Sequence, residues 1–156
     1  MIIKYLSFSI SIVFISFLVG MMVYVLIQKS AYFTNRLEGL NFLPDEKWNR
    51  LIGVGIVKWI VKNTPFRFLN PTLQVNGKID QAMLMDIRNR MTKAELEHLI
   101  AFVFVCFFIL FKFYNSEWAF GFCILFINLA MNLYPTLLQQ QNKRRISKLL
   151  KQKKYS

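Results

Sequence analysis

Two long stretches of the sequence carry no formal charge. They cover residues 5–28 and 118–142, which is 24 and 25 residues. A helix that crosses the hydrocarbon core of a bilayer needs about 20 mostly apolar residues, because no water is present there to solvate charges or open backbone groups. Both stretches are long enough, so the sequence predicts two membrane-spanning helices.

A third apolar run is shorter and covers residues 98–113. At 1.5 Å per residue it reaches roughly 24 Å against about 30 Å of hydrocarbon. Its first turn must therefore come from charged residues, within a helical pattern that starts near Asp80. The short connection at 112–117 predicts that this run and the stretch beginning at Trp118 form an antiparallel transmembrane hairpin.

An amphipathic helix is predicted over 45–63, outside these spans. Pro44 followed by two acids is typical of a helix start. Trp48 and Trp59 lie on one stripe of this helix, and lysines, Lys58 among them, lie largely elsewhere. Tryptophan with flanking lysine is typical of the headgroup layer. Packing on the transmembrane helices is the alternative, and both interpretations place the helix at the membrane surface.

We therefore expect an all-α integral membrane protein with three transmembrane helices and one interfacial helix. Its predicted parts are an N-terminal transmembrane helix over 1–28, a cytoplasmic and interfacial region over 29–92, a transmembrane hairpin over 93–142 and a basic tail over 143–156. The first segment exceeds the usual length of a signal peptide's apolar region, so we expect a retained helix. Whether it crosses the bilayer completely stays open.

The charge is unevenly distributed along the chain. The net charge is +12, and seven of the last fourteen residues are Lys or Arg, whereas the hairpin tip has only Lys112 as a basic residue. By the positive-inside rule, the tail and the middle region are expected on the cytoplasmic side of a bacterial cytoplasmic membrane. Anionic lipid headgroups account for such a basic excess, so we expect membrane lipids as partners and no nucleic acid. A protein partner or a homo-oligomer stays open.

The two cysteines, Cys106 and Cys123, both lie in apolar runs. No CxxC or Cys/His spacing surrounds them, and nothing else in the sequence indicates a metal site. We interpret both as small hydrophobic residues. A disulfide between them is an open alternative at this point.

The single histidine, His98, lies where the second apolar run begins. Glu95 precedes it by three residues and shares its helical face, so the carboxylate can orient the imidazole. A histidine held in this way at the membrane edge is suited to act as a general base toward a hydroxyl. The alternative is that His98 only ends the apolar run while the nearby acids pair with lysines.

The third span carries a stripe of polar residues. Asn128, Asn132, Pro135 and Gln139 follow one another at spacings of four, three and four, and so share one helical face. Amides in hydrocarbon are unfavourable unless paired, so the stripe is expected to face the interior or a polar cavity, where it is a candidate functional site. Hydrogen bonding that only holds the hairpin together is an equally good interpretation.

At these residues the sequence resembles the family of glycosyl-4,4'-diaponeurosporenoate acyltransferases, small membrane proteins. The resemblance covers most of the chain after about residue 45 and rests on three pieces in the same order. These are Lys58-Trp59, then Lys93-Ala94-Glu95-Leu96 followed by His98, then Asn132 with Gln139, Asn142, Arg145 and a basic tail. Where the family tends to read Gln-Arg-Tyr-Asn-Arg-Pro-Arg, this chain has Gln140 and Gln141 in place of Arg-Tyr, and the proline is lost.

The resemblance implies esterification of a sugar hydroxyl on a membrane glycolipid or a glycosylated carotenoid. It implies no bound cofactor, and an acyl thioester, carried by coenzyme A or acyl carrier protein, as donor. His98 would be the base and Glu95 its orienting partner. The implied binding residues for acceptor, acyl group and anionic donor are Asn132, Gln139, Asn142, Lys143 and Arg145, to which the stripe and the motif add Asn128 and Lys93. The alternative function is a non-catalytic membrane subunit or lipid-binding scaffold of a larger complex.

Overall fold

The computed structural model describes residues 1–30, 37, 39–42, 46–63 and 80–154. Among these residues, three helices are long and apolar enough to cross a membrane, namely Ile2–Ile27, Gln81–Tyr114 and Trp118–Gln152. No strand occurs in the described ranges, so the prediction of an all-α protein with three membrane-spanning helices is confirmed. The helices are α1 (Ile2–Ile27), α2 (Glu46–Leu51), α3 (Val54–Asn63), α4 (Gln81–Tyr114), α5 (Trp118–Asn128), a π-helical segment (Leu129–Leu133) and α6 (Tyr134–Lys154).

The chain forms two compact units. The first comprises Met1–Gly39 and Glu95–Thr136, and the second comprises Leu40–Ala94 and Leu137–Ser156. α4 runs unbroken past residue 93 and α6 runs unbroken past residue 143, so neither of these predicted boundaries coincides with a helix end. The region predicted as a separate basic tail is therefore helical through Lys154.

In the first unit, α1 runs in the same direction as α5. Tyr5 stacks on Phe120, and one turn later the Ser9 hydroxyl reaches the Cys123 sulfur at 3.6 Å. Toward the other end of α1, a Cβ atom on Gly20 would clash with the backbone carbonyl of Glu97, so only glycine permits this approach of α1 to α4. The apolar core between the helices consists of Ile12, Val13, Val105, Ile109, Phe120 and Ile124.

The third span is not a regular α-helix throughout, because a π-helical segment interrupts it. Between α5 and α6, the Tyr134 N–H donates to the carbonyl of Leu129, five residues back. Pro135 supplies the physical reason, because proline has no N–H to donate and its ring crowds the carbonyl four residues earlier. Widening the preceding turn accommodates both effects, and such π segments occur frequently at functional sites.

The second unit corrects the prediction of one helix over 45–63. Two helices form instead, because Gly53 has a φ of 80°, in the left-handed region that glycine adopts readily. The Gly53 N–H donates to Arg50, ending α2, and the Gly53 carbonyl accepts from Ile56, opening α3. Among the described residues of this unit, the buried apolar ones are Val54, Leu84, Ile87, Met91, Leu137 and Leu138.

Candidate functional site

His98 lies on α4 within the first unit. Its ring packs edge-on against Phe17 of α1, with 5.4 Å between the ring centroids. The close approach at Gly20 brings this part of α1 against α4, and Phe17 is one turn earlier on the same helix. The Nδ1 atom of His98 is buried and has no hydrogen-bond partner among the described residues.

Two asparagines of the third span are completely buried in the same unit. Asn132 donates through Nδ2 to the Asn128 Oδ1 at 2.8 Å and to the Ser16 Oγ at 3.3 Å. Asn128 in turn donates through Nδ2 to the carbonyl of Phe102 on α4, at 3.2 Å. Their burial confirms that this part of the stripe faces the interior. The bonds to Ser16 and Phe102 join separate helices, as the structural interpretation of the stripe predicted.

Asn132 and His98 contact neighbouring residues of α1. Asn132 bonds Ser16, and His98 packs against Phe17, the next residue along that helix. Neither Asn132 Oδ1 nor His98 Nδ1 has a hydrogen-bond partner among the described residues. We call Ser16, His98, Asn128 and Asn132 the polar layer of the first unit.

Glu95 is completely buried one turn before His98. The structure does not show it bonded to His98 Nδ1, because that nitrogen has no hydrogen-bond partner in the described part of the chain. The backbone carbonyl of Glu95 accepts a long hydrogen bond of 3.5 Å from the buried hydroxyl of Thr136, which also donates to the Asn132 carbonyl at 2.9 Å. The orienting role of Glu95 stays a prediction.

Sequence reasoning missed the contribution of α1. Ser16 and Gly20 were not among the candidates, although both contact the elements that carry Asn132 and His98. The signal was present, since Ser9, Ser16 and Gly20 are small residues at helical spacings of seven and four, although Ser7 and Ser11 in the same apolar run are small as well. Small residues at such spacings let helices approach closely in membranes.

The cysteines are free thiols, which settles the open alternative of a disulfide. Each lies beside a polar side chain in the first unit. The Asn128 amide approaches the Cys106 sulfur at 3.9 Å, and Ser9 approaches Cys123. Both thus serve as small, weakly polar packing residues.

The second unit holds the other candidate binding residues, and their placement relative to His98 stays a prediction. Gln139, Asn142 and Lys143 are buried, whereas Lys93 and Arg145 are exposed. Gln139 Oε1 has no hydrogen-bond partner among the described residues. Burial of Lys143 differs from the expectation that it faces a soluble donor.

Gln140, at one of the positions that depart from the family pattern, has a local structural role. Its side chain is 1% exposed, and its Oε1 accepts the backbone N–H of Phe42 at 3.0 Å. Asn41, the residue before Phe42, accepts a hydrogen bond from the Arg144 side chain. These two bonds attach the chain at 41–42 to α6, a task that a glutamine amide can perform without charge.

The predicted interfacial residues are only partly described. The Trp59 side chain is 65% exposed on α3, next to the half-buried Lys58. Ile56 is similarly exposed one turn earlier. The side chain of Trp48 lies outside the described residues.

Comparison with known proteins gives one match. A family model described as glycosyl-4,4'-diaponeurosporenoate acyltransferase matches residues 28–152. A search of curated proteins and a search of solved structures found no match. The matched range includes His98, Asn128 and Asn132, and all of α1 precedes it.

Proposed function

Because the chain belongs to the glycosyl-4,4'-diaponeurosporenoate acyltransferase family, we propose that it transfers an acyl group to a hydroxyl of a glycosylated carotenoid or another membrane glycolipid. The observation that carries this proposal is that His98 packs against Phe17 of α1 in a unit built from membrane-spanning helices, which also buries the amides of Asn128 and Asn132. A titratable ring held at such a place is suited to chemistry on a lipid-embedded substrate.

In the proposed reaction His98 acts as general base. Its unprotonated ring nitrogen accepts the proton of the sugar hydroxyl while the hydroxyl oxygen attacks the acyl carbonyl carbon. The new carbon–oxygen bond of the ester forms, the carbon–sulfur bond of the thioester breaks, and the proton passes from His98 to the departing thiolate. A histidine suits both transfers because its ordinary pKa lies near neutral pH.

The proposed donor is an acyl thioester of coenzyme A or acyl carrier protein, reached from the cytoplasm. Both carriers are anionic, and α6 presents exposed basic side chains at intervals of three, which places them along one side of the helix. These are Arg145, Lys148 and Lys151. We assign the donor contact to them rather than to Lys143, which is buried.

The proposed place of α3 is the headgroup layer of the same membrane. Trp59 and Ile56 expose 65% and 67% of their surfaces, which is unfavourable in water for an apolar pair so close together. At the lipid headgroups this exposure is favourable, since the apolar part of the tryptophan ring leaves water and its N–H finds a polar partner there. This placement supports a substrate that resides in the bilayer.

The test is lipid and pigment profiling by mass spectrometry in a strain that lacks the gene. We expect the acylated glycoside to disappear and its unacylated precursor to accumulate. The wild-type gene should restore the product, and so should Phe107→Ala, a control on α4 whose side chain is 66% exposed. His98→Ala should reach the membrane fraction at the same level and restore nothing.

The same experiment addresses the second function. A non-catalytic subunit or lipid-binding scaffold does not need a proton acceptor, so His98→Ala would then restore the product fully. An unchanged profile in the deletion strain would contradict the acyltransferase proposal altogether. Purified protein in lipid nanodiscs, given acyl thioester and extracted glycoside, separates direct catalysis from assistance to another enzyme.

A further inference from the structure

The last helix ends in cations that no acid of the same helix balances. After Glu117 the sequence contains no Asp or Glu, whereas residues 143–154 contain seven Lys or Arg. Two acids of the second unit have side chains that the structure describes, and both are engaged on α4. Asp86 pairs with Arg90 at 2.9 Å, and Asp80 caps the first turn. These acids therefore leave the charge at this end of α6 open to a partner from outside the chain.

Five positions near the end of α6 form one exposed face, which we call the basic face. Spacings of three and four place them on the same side of the helix. They are Arg145, Lys148, Leu149, Lys151 and Gln152, and all five are exposed. The buried Lys143 lies on the opposite side. The basic face thus combines three positive charges with an apolar side chain, Leu149, of which 45% is exposed.

The basic face is convex, because it belongs to a single helix. Sites for small ligands are concave and enclose most of the ligand surface. A nucleotide-sized carrier such as coenzyme A would touch this face on one side only and would stay mostly in solvent. Three charges spread along about 9 Å of helix instead fit an extended surface of opposite charge.

The length of the helix that contains the third span favours a partner in solution over lipid headgroups. This helix covers Trp118–Gln152 and has 35 residues. At 1.5 Å per residue, Lys151 lies about 50 Å from Trp118 along the axis, and a typical tilt of about 20° shortens this by only about 3 Å. A bilayer measures about 40–45 Å with both headgroup layers. Even with Trp118 at one edge of the bilayer, Lys151 would extend past the other edge.

We propose that the basic face docks an acidic acyl carrier protein, which delivers the acyl thioester. This choice between the two carriers rests on the proposed function, because only acyl transfer requires a thioester donor. Opposite charge steers the encounter and makes it sensitive to salt. Leu149 and the alkyl stems of the lysines supply apolar contact. The residues of the basic face bind the carrier and take no part in making or breaking bonds.

The experiment measures the Kd of full-length protein in phosphatidylcholine nanodiscs for acyl carrier protein loaded with a fatty acyl chain. We expect the wild type to bind and the Kd to rise with ionic strength. The double reversal Arg145→Glu with Lys148→Glu should raise the Kd by about tenfold or more, because it places like charges opposite each other. A wild type that does not bind, or a double reversal that binds equally well, would overturn the proposal.

The matched control is the double reversal Lys47→Glu with Arg50→Glu on α2. It also changes one lysine and one arginine three positions apart, and both side chains are exposed. Its Kd should equal that of the wild type, and a rise as large as that of the α6 variant would reduce the effect to net charge and overturn the proposal. If the α6 double reversal does not insert into the membrane, Arg145→Gln with Lys148→Gln replaces it. A smaller rise is then expected, and an unchanged Kd counts against the proposal.

Two further arms address the other occupants of the basic face. Carrier binding should persist in nanodiscs that contain phosphatidylglycerol, and its loss there would assign the face to anionic lipid instead. Free coenzyme A in excess should not displace the carrier. Displacement would show that the cations bind the nucleotide, and the proposal would be wrong.

The outcomes remain separable from the proposed function. Carrier binding that the α6 reversal abolishes, together with full activity of His98→Ala, would contradict the proposed function and leave the docking surface standing. Loss of the acylated product in His98→Ala, together with a wild type that does not bind the carrier, would do the reverse.

Discussion

The two ends of the first unit are held together by different interactions. At one end, Tyr5, Phe113, Trp118 and Phe120 stack, with centroid distances of 4.3 Å for Tyr5–Phe120 and 5.2 Å for Phe113–Trp118. We call these four residues the aromatic end. At the other end, directional hydrogen bonds join the two amides and the hydroxyl of the polar layer, and the imidazole of His98 packs on Phe17 in the same unit.

This difference separates stability from chemistry. Aromatic packing stabilises through area and tolerates small shifts, whereas a buried polar network is stable only when its donors and acceptors match. The aromatic end can therefore vary as long as volume is kept. His98 takes no part in the bonds between the amides and the hydroxyl, so changing it should alter turnover more than stability, and the following variants test that division.

The largest expected effect is that of His98→Ala on turnover. Loss of a general base lowers kcat by about 10²–10⁴-fold, and we expect the thermal midpoint in detergent to stay close to that of the wild type. The measurement is product formation per folded molecule in nanodiscs. A His98→Ala protein that turns over normally would break the proposed division between the two ends.

Phe120→Ala is expected to show the opposite pattern. Phe120 is 5% exposed in the core, and truncation of a buried phenylalanine lowers the free energy of unfolding by about 3–5 kcal/mol. Turnover per folded molecule should be unchanged below the unfolding temperature. Phe126→Ala, on the same helix but 68% exposed, is the control and should leave both quantities nearly as they are.

Gly20→Ala is expected to destabilise more than Gly121→Ala. The added methyl group at Gly20 meets the backbone carbonyl of Glu97, which cannot turn aside, whereas at Gly121 it meets the ring of Phe113, which can. We expect a loss of about 1–3 kcal/mol at Gly20 and less at Gly121, measured as thermal unfolding in detergent.

Gly55→Ala controls for the intrinsic effect of alanine in a helix. A methyl group there meets nothing within 4 Å, so we expect a gain of about 0.5–1 kcal/mol. If Gly20→Ala proved as harmless as Gly55→Ala, the close approach of α1 to α4 would not be present in the detergent-solubilised protein.

The smallest expected effect is that of Lys112→Met beside the aromatic end. Lys112 bonds both carboxylate oxygens of Glu117, at 3.0 and 3.1 Å, but the Glu117 side chain is 42% exposed. Solvent screens such a pair, so we expect a loss below about 1 kcal/mol. A double-mutant cycle with Glu117→Gln isolates the pair, and a larger coupling would show that the hairpin turn also depends on charge.

The spans could be predicted from the sequence because charge segregation and length depend only on composition along the chain. The sequence also predicted that Asn128 and Asn132 lie on one inward-facing side of their helix, because they are four residues apart. The break at Gly53 could not be predicted so directly, since an isolated glycine within an otherwise helical pattern is tolerated in many helices. Whether it adopts a positive φ depends on packing that composition does not encode.

The site was predicted less completely than the spans. The motif around His98 led to the histidine, but sequence spacing shows only neighbours on the same helix, so it could not show that Phe17 of α1 packs against the ring. Ser16 lies 116 positions from Asn132. Partners so far apart in sequence depend on how α1 docks, which the apolar run of α1 alone does not specify.

Because the π-helical segment at Leu129–Leu133 contains one extra residue in its turn, removing a single residue there would change which face of the helix all later side chains occupy. Deleting Met131 would allow an ordinary α-helical turn before Pro135 and would rotate Thr136 by about 100° relative to Asn128. The Thr136 hydroxyl would then point away from the Glu95 carbonyl, and two helices of the first unit would lose a shared bond. Homologues in which this span is one residue shorter should therefore carry different residues at these two positions.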